Sequence, residues 1–393
     1  MNSMVNSSKW LELLVCLVLL IKVEGFNVSI TIVQDAVAKG GVCLDGSPPA
    51  YHFDKGFETG VDNWLIYLQG GAWCNNATTC LDRSHSAFGS SKLMSTNYNF
   101  TGILSNESKH NPDFYNWNRV EVRYCDGSSY TGDVEAVDPI TKVYYRGARA
   151  WRAVMDDLLA KGMKDAQNAV LAGCSAGGLG AILQCDNFRA LLPSGARVKC
   201  LSDGGFFINT EALYGPRPLQ EYFAEVVTTH GSAKNLPEAC TSTFRPELCI
   251  FPRHAARDIQ TPLFLLNSAY DSWQIVNIYL QGVVDPHGKW RNCTNDITRC
   301  SDSQILDLQG FNKQFIMALS SIGDNPTRGL FINSCYCHCQ SEAQETWFAE
   351  DSPRLDNTTI AKAFGDWFYD RNPFQKIDCP YPCDKTCRHA VSA

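Results

Sequence analysis

The sequence predicts an α/β fold: a mainly parallel sheet flanked by helices and carrying disulfide-stapled insertions. Three observations predict it. Short apolar runs alternate with helical patterns, as in parallel βαβ units. Several of those runs end in glycine-rich turns or in turns bearing Asp or His. The chain also holds 18 cysteines in 393 residues, more than a reducing compartment keeps as thiols.

The chain opens on Lys9, the apolar run Trp10 to Ile21, then Val23, Glu24 and Gly25. This reads as a secretory signal peptide over residues 1–25, because the run is short for a membrane span and ends near a small residue. Glu12 interrupts it, so an uncleaved anchor is the alternative. Residues 26–393 read as a single domain, since neither an internal repeat nor a low-complexity linker divides them. A monomer is expected.

Val28 to Val37 is apolar and β-branched, and the turn-rich segment after it suggests an early hairpin. Trp64 to Leu68 reads as a buried strand running into Gln69, Gly70, Gly71 and Ala72. Residues 75–118 are polar and read as an irregular excursion. Val120, Val122 and Tyr124 alternate with Glu121 and Arg123 in a second strand, which ends in the turn CDGSSYTGD.

Trp151, Val154, Met155, Leu158 and Leu159 mark an amphipathic helix within Tyr144 to Met163. A strand over Ala169 to Ala172 follows, then a helical pattern from Ala176 to Leu192 and a strand at Val198 to Ser202. Residues 205–252 read as an irregular insertion stapled through Cys240 and Cys249. Pro262 to Leu266 is a further strand, Cys293 and Cys300 lie in another excursion, and Ile305 to Leu319 has helical spacing. A last strand, Leu330 to Ile332, precedes a helix expected from Asn357 as N-cap through Phe368. Cys379, Cys383 and Cys387 suggest a cystine-pinned tail.

At the strand-to-helix junction, Gly173, Cys174, Ser175, Ala176 and Gly177 fit G-x-S-x-G. There the glycines permit a turn sharp enough to lift a serine hydroxyl off the sheet. A serine becomes a nucleophile only when a base takes its proton and a carboxylate fixes that base. In α/β-hydrolases the chain order is Ser, then acid, then His. Asp271 and His338 follow Ser175 in that order, each just past a strand. Asp203 is the rival carboxylate, although its SDGG context also suits a plain turn. Backbone N–H groups of Ala176 and of Gly71 or Ala72 are the expected oxyanion donors; an ordinary glycine turn is the alternative for the latter pair.

Removing Cys16 with the leader leaves an odd number of cysteines. Cys174, inside the tight turn, is the expected free thiol, and Cys174→Ser is expected to leave folding and activity largely intact. Cys335, Cys337, His338 and Cys339 could suggest a metal cluster, but disulfides fit an oxidising compartment better and the spacing suits a tetrahedral site badly. No cofactor and no metal are therefore expected. Asn27, Asn76, Asn99, Asn106, Asn292 and Asn357 each sit in an N-x-S/T acceptor triplet. A net charge of −7 argues against nucleic-acid binding.

Five segments together resemble the plant pectin acetylesterases, which are related to the animal Notum carboxylesterases. They are LQGGAWCNN from Leu68, RYCDGSSYTGD from Arg123, GCSAGG from Gly173, NSAYDSWQ from Asn267 and CHCQ from Cys337. The resemblance spans nearly the whole mature chain. It implies an α/β-hydrolase fold, a triad on Ser175, Asp271 and His338, and removal of acetyl groups from cell-wall pectin outside the cell. Ala72 stands where many relatives have glycine. The acidic balance requires an anionic polysaccharide to be met through local basic patches, methyl-esterified stretches or an acidic pH. The rival expectations are an esterase acting on acetylated xylan or on a lipid-modified protein, which a roomy apolar pocket beside Ser175 would favour, and a glycan-binding wall protein without catalysis.

Overall fold

The computed structural model describes residues 26–389, so the leader over 1–25 lies outside the described residues. The strands are β1 (Phe26–Ile32), β2 (Ala50–Asp54), β3 (Asn63–Leu68), β4 (Asn97–Phe100), β5 (Asn118–Val122), β6 (Asn168–Cys174), β7 (Arg197–Asp203), β8 (Leu263–Ser268), β9 (Gly329–Asn333), β10 (Arg354–Leu355), β11 (Thr358–Thr359) and β12 (Gln375–Ile377). Ten of them form one sheet in the order β12-β9-β8-β7-β6-β3-β5-β2-β1-β4, and β10 with β11 makes a separate two-stranded ribbon. From β12 to β5 every pairing is parallel, whereas β2, β1 and β4 extend the sheet antiparallel.

The central strands are apolar on both faces because helices cover both. Along β3 and β6, Trp64, Ile66, Leu68, Ala169 and Leu171 pack into one core layer. Leu65, Tyr67, Val170 and Ala172 enter the other, as the two-residue strand period requires. The first layer is closed by the helix Gly147–Ala160, whose Trp151, Val154, Met155 and Leu158 are buried, and by the helix Asp302–Ser320, which begins in a Ser301–Gln304 capping box. The second is closed by the helix Ile360–Phe368, with Phe364 and Phe368 against Phe114. Fully burying each such side chain contributes about 1.5–3 kcal/mol.

Four expectations change. The 75–118 excursion holds a helix, Ala77–Ser84, and the edge strand β4. The 205–252 insertion holds the helix Pro218–His230. The helical stretch after Ser175 is two helices, Ala176–Leu183 and Cys185–Ala190. The last long helix is capped by Thr359, whose side chain accepts from Lys362 N–H, while Asn357 adopts a left-handed turn between β10 and β11. In each case packing against the sheet selected an element that local composition left ambiguous.

Cys174 is not a free thiol. Among the described residues eight disulfides form: 43–125, 74–80, 174–339, 185–200, 240–249, 293–300, 335–387 and 379–383. The unpaired cysteine among the described residues is Cys337, which is buried. The prediction failed because the sharpness of a turn says nothing about which distant thiol the fold brings to it. The six acceptor asparagines lie toward the surface. Asn27 and Asn99 face each other across the outermost β1–β4 pair, Asn76 caps the helix Ala77–Ser84, and Asn292 and Asn357 are exposed, with Asn106 half-buried. No helix among the described residues is long and apolar enough to cross a membrane.

Candidate active site

The register aligns the carboxyl ends of the parallel strands. Leu68 pairs with Gly173, Cys174 with Asp203, Asp203 with Leu266 and Ser268 with Asn333. The turns leaving β3, β6, β8 and β9 therefore converge on one edge, where ligands bind in open α/β sheets.

Ser175 follows β6 directly and is held at φ 58°, ψ −126°, a conformation that costs a non-glycine residue energy. Its neighbours make that conformation unavoidable. A side chain on Gly173 would collide with Gly177 O, one on Gly177 with Leu68 O, and one on Gly70 with Cys174 O. The strand, the turn and the following helix are thus in backbone contact that only glycines allow. Ser175 N–H donates to Asp203 O at 2.8 Å, which closes the turn against β7.

Asp271 and His338 lie together at the same strand edge. Their loops are stitched by Ser272 N–H donating to Cys337 O at 3.1 Å. His338 Nδ1 is 2.9 Å from Asp271 Oδ2, and both side chains are buried. Asp271 also accepts from Gln274 N–H at 2.9 Å and from Asn267 Nδ2 at 3.2 Å, so its carboxylate is fixed from three sides. Burial by itself would lower the His338 pKa. The charge and hydrogen bond of Asp271, aided by the Asp203 carboxylate, overcome it and hold the imidazole above its ordinary value. Trp273 stacks on the His338 ring at a centroid distance of 6.0 Å. Among the described residues His338 Nε2 has no hydrogen-bond partner although it is buried.

Asp203, the rival carboxylate, occupies a different position in the network. Its Oδ2 accepts from Gln340 N–H, Ser341 N–H and Ser341 Oγ at 2.8, 2.7 and 2.6 Å. It therefore clamps the chain two and three residues past His338. Burial pushes its pKa up to about 6.

The segment after β3 passes directly over Ser175. Gly71 has φ 134° and Ala72 φ 53°. The N–H groups of Gly71, Ala72, Trp73 and Ala176 have no protein acceptor among the described residues. Two residues that sequence reasoning missed hold this region. Ser129 accepts from Trp73 Nε1 at 2.7 Å and donates to Ala176 O at 2.7 Å, which ties the two expected donor segments together. Arg83 donates to Gly71 O at 2.8 Å. The only signal for Ser129 was the CDGSSYTGD turn, and nothing distinguished Arg83 within its polar stretch.

Beside Ala72 opens a cleft of about 230 Å³ lined by Trp73, Leu219, Tyr222, Trp273 and Ile278. Among the described residues three groupings bring cysteine sulfur and a His or Asp ligand atom within 4.8 Å: Cys74, Cys80 and His230; Cys335, Asp384 and Cys387; Asp378, Cys379 and Cys383. In each the two sulfurs are joined to each other, so one ordinary ligand remains where zinc would need four.

A family model described as pectinacetylesterase matches residues 21–388. The chain is 54% identical over 379 residues to pectin acetylesterase 7 of Arabidopsis thaliana, covering 96% of both chains. It is 51% identical to pectin acetylesterase 11 of the same plant, again over 96% of both. Palmitoleoyl-protein carboxylesterase NOTUM of Mus musculus is 25% identical over 386 residues, or 88% of this chain and 69% of that one.

Proposed function

The chain belongs to the pectinacetylesterase family, and from that premise we propose that it is a secreted serine carboxylesterase that removes acetyl groups from cell-wall pectin. Residues 1–25 act as the leader, and residues 26–393 act as one catalytic domain.

Ser175 is the nucleophile, His338 the general base and Asp271 the residue that orients the imidazole. Asp271 fixes Nδ1 as the protonated nitrogen, which leaves Nε2 as acceptor. Nε2 takes the Ser175 proton as Oγ attacks the acetyl carbonyl. The developing oxyanion meets the N–H of Ala176 and those of the Gly71–Ala72 segment. His338 then gives its proton to the departing sugar hydroxyl, and a water activated by the same imidazole releases acetate from the acyl-enzyme. Neither a metal nor a cofactor enters any step. The observation that carries this reading is the coincidence of a strained serine, an Asp-held histidine with an unsatisfied Nε2, and free backbone N–H groups at one strand edge.

In this reading the cleft beside Ala72, of about 230 Å³, receives the acetyl group. Acetate release from acetylated pectin and from acetylated xylan, with wild type beside Ser175→Ala, tests the reading. The expected outcome is release from pectin that Ser175→Ala reduces by at least about 10⁴-fold. Undiminished release by the variant would overturn the mechanism, and release confined to xylan would overturn the substrate.

A further inference from the structure

We propose that Arg83 is the positioning residue of the oxyanion hole, gripping Gly71 O so that the Ala72 N–H is held toward the reacting ester. The proposal rests on the serine-esterase reading above.

The peptide plane couples the two groups. In a trans peptide the C=O and the N–H of the next residue point in opposite directions. A group that holds Gly71 O from one side therefore fixes the Ala72 N–H on the other. Arg83 Nη1 makes that bond at 2.8 Å. Without it the peptide has reason to turn over, because Ala72 sits at φ 53°, where a side chain is disfavoured by about 1–2 kcal/mol. A flipped peptide would direct the Gly71 carbonyl, rather than an N–H, at the developing negative charge.

Arg83 is itself immobilised. Its Nε donates to Phe88 O at 3.0 Å, and its guanidinium lies over the rings of Phe88 and Tyr124, 5.2 and 4.8 Å from their centroids. The Phe88 ring also fills the space where a Gly71 side chain would be. The carbonyls from Trp73 onward have their own holders. Trp73 O accepts from Tyr222, Cys74 O is 2.8 Å from His230 Nε2, and Asn75 O accepts from Thr229. Arg83 thus holds the Gly71–Ala72 peptide, while the chain from Trp73 onward is fixed independently of it. A lysine would reach with a point charge but without the planar fork that bonds Gly71 O and Phe88 O together.

The test compares wild type, Arg83→Met and Arg83→Lys with p-nitrophenyl acetate. Affinity for a trifluoromethyl ketone, which adds Ser175 Oγ to give a tetrahedral oxyanion, is measured in parallel. Loss of one oxyanion donor costs about 10²–10³-fold in kcat, so a mispositioned one is expected to cost about 10–100-fold in Arg83→Met, with KM changed by less than about threefold. Ketone affinity should fall by the same factor as kcat/KM. Arg83→Lys should recover part of both, and millimolar guanidinium should raise kcat in Arg83→Met alone. A kcat within about threefold of wild type, or a lowered kcat with unchanged ketone affinity, overturns the proposal. If Arg83→Met does not fold, the same two criteria are applied to Arg83→Lys. Ser175→Ala, run alongside, keeps the two claims apart: full activity in that variant sinks the serine mechanism itself, whatever the arginine variants do.

Discussion

The turn that carries Ser175 and the loop that carries His338 meet at one sheet edge, yet they are held by different forces. The serine turn is held by its backbone. Four of its five residues are Gly, Ser or Ala, and they are trapped against Gly177 O within the turn and against Leu68 O and Asp203 O of the two flanking strands, so its geometry follows from backbone contact. The histidine loop, residues 334–341, has no regular structure of its own. It is held by groups remote in sequence: Asp271 on the ring, Asp203 on the following N–H groups, and disulfides from Cys335 to Cys387 and from Cys339 to Cys174. The 174–339 bridge joins the residue before the proposed nucleophile to the residue after the proposed base. A nucleophile can be presented by sterics alone, whereas a base must be located relative to it, and here covalent and charged contacts do that.

Breaking the steric half should have the largest effect. Gly177→Val places a branched side chain against Leu68 O and Gln69 O, both backbone atoms that cannot move aside. The expected outcome is loss of folded, secreted protein, well beyond the roughly 1–3 kcal/mol of ordinary overpacking. Normal yield and activity would refute the steric account of the turn.

Breaking the long-range half should separate activity from folding. Cys174→Ser with Cys339→Ser is expected to cost about 2–5 kcal/mol of stability and to lower kcat by more than about tenfold, with far-UV circular dichroism retained. The paired control, Cys293→Ser with Cys300→Ser, removes a short distant bridge and should leave kcat unchanged. Equal loss of activity in both would mean that the 174–339 bridge only stabilises.

A smaller change is expected at Asp203. Asp203→Asn keeps an acceptor for the 340–341 N–H groups but removes the negative charge that helps raise the His338 pKa. Stability should fall by roughly 1–3 kcal/mol. The acid limb of kcat/KM should move to lower pH, having stood in wild type above the ordinary histidine value because a charged imidazole cannot accept the serine proton. An unmoved limb would remove Asp203 from the electrostatics of the base.

The smallest effect is expected from pH acting on the packing behind the histidine loop. Burial, then the neighbouring Asp203 charge, pushes Glu342 up to about 7, and burial pushes Asp203 up to about 6. Both carboxyls thus bind protons more tightly folded than unfolded. Their stabilising contribution is complete below the ordinary carboxylate range and is lost as pH rises through those values. The melting temperature should therefore be higher at pH 5 than at pH 8 by about 5 °C or more. A higher melting temperature at pH 8 would contradict burial as the dominant influence on these carboxyls.

The alternation of apolar strands and helices, the mainly parallel sheet and the serine turn were legible in the sequence. Each rests on contacts within a short stretch: a two-residue period in Leu65 and Ile66, a helical period in Trp151 to Leu158, and glycines on both sides of Ser175. The order Ser175, Asp271, His338 was legible as well, because parallel strands deliver their carboxyl ends to one edge. Tertiary structure decided what depends on distance through space. It joined Cys174 to Cys339 and left Cys337 unpaired, since a turn's shape does not identify a partner 165 residues away. It assigned Asp271 to the imidazole and Asp203 to the backbone beyond it, although both follow strands and look alike in sequence. It also brought Arg83 and Ser129 to the Gly71–Ala72 segment from polar stretches with no periodic signal, because hydrogen-bond partners are chosen by the folded geometry and not by neighbours along the chain.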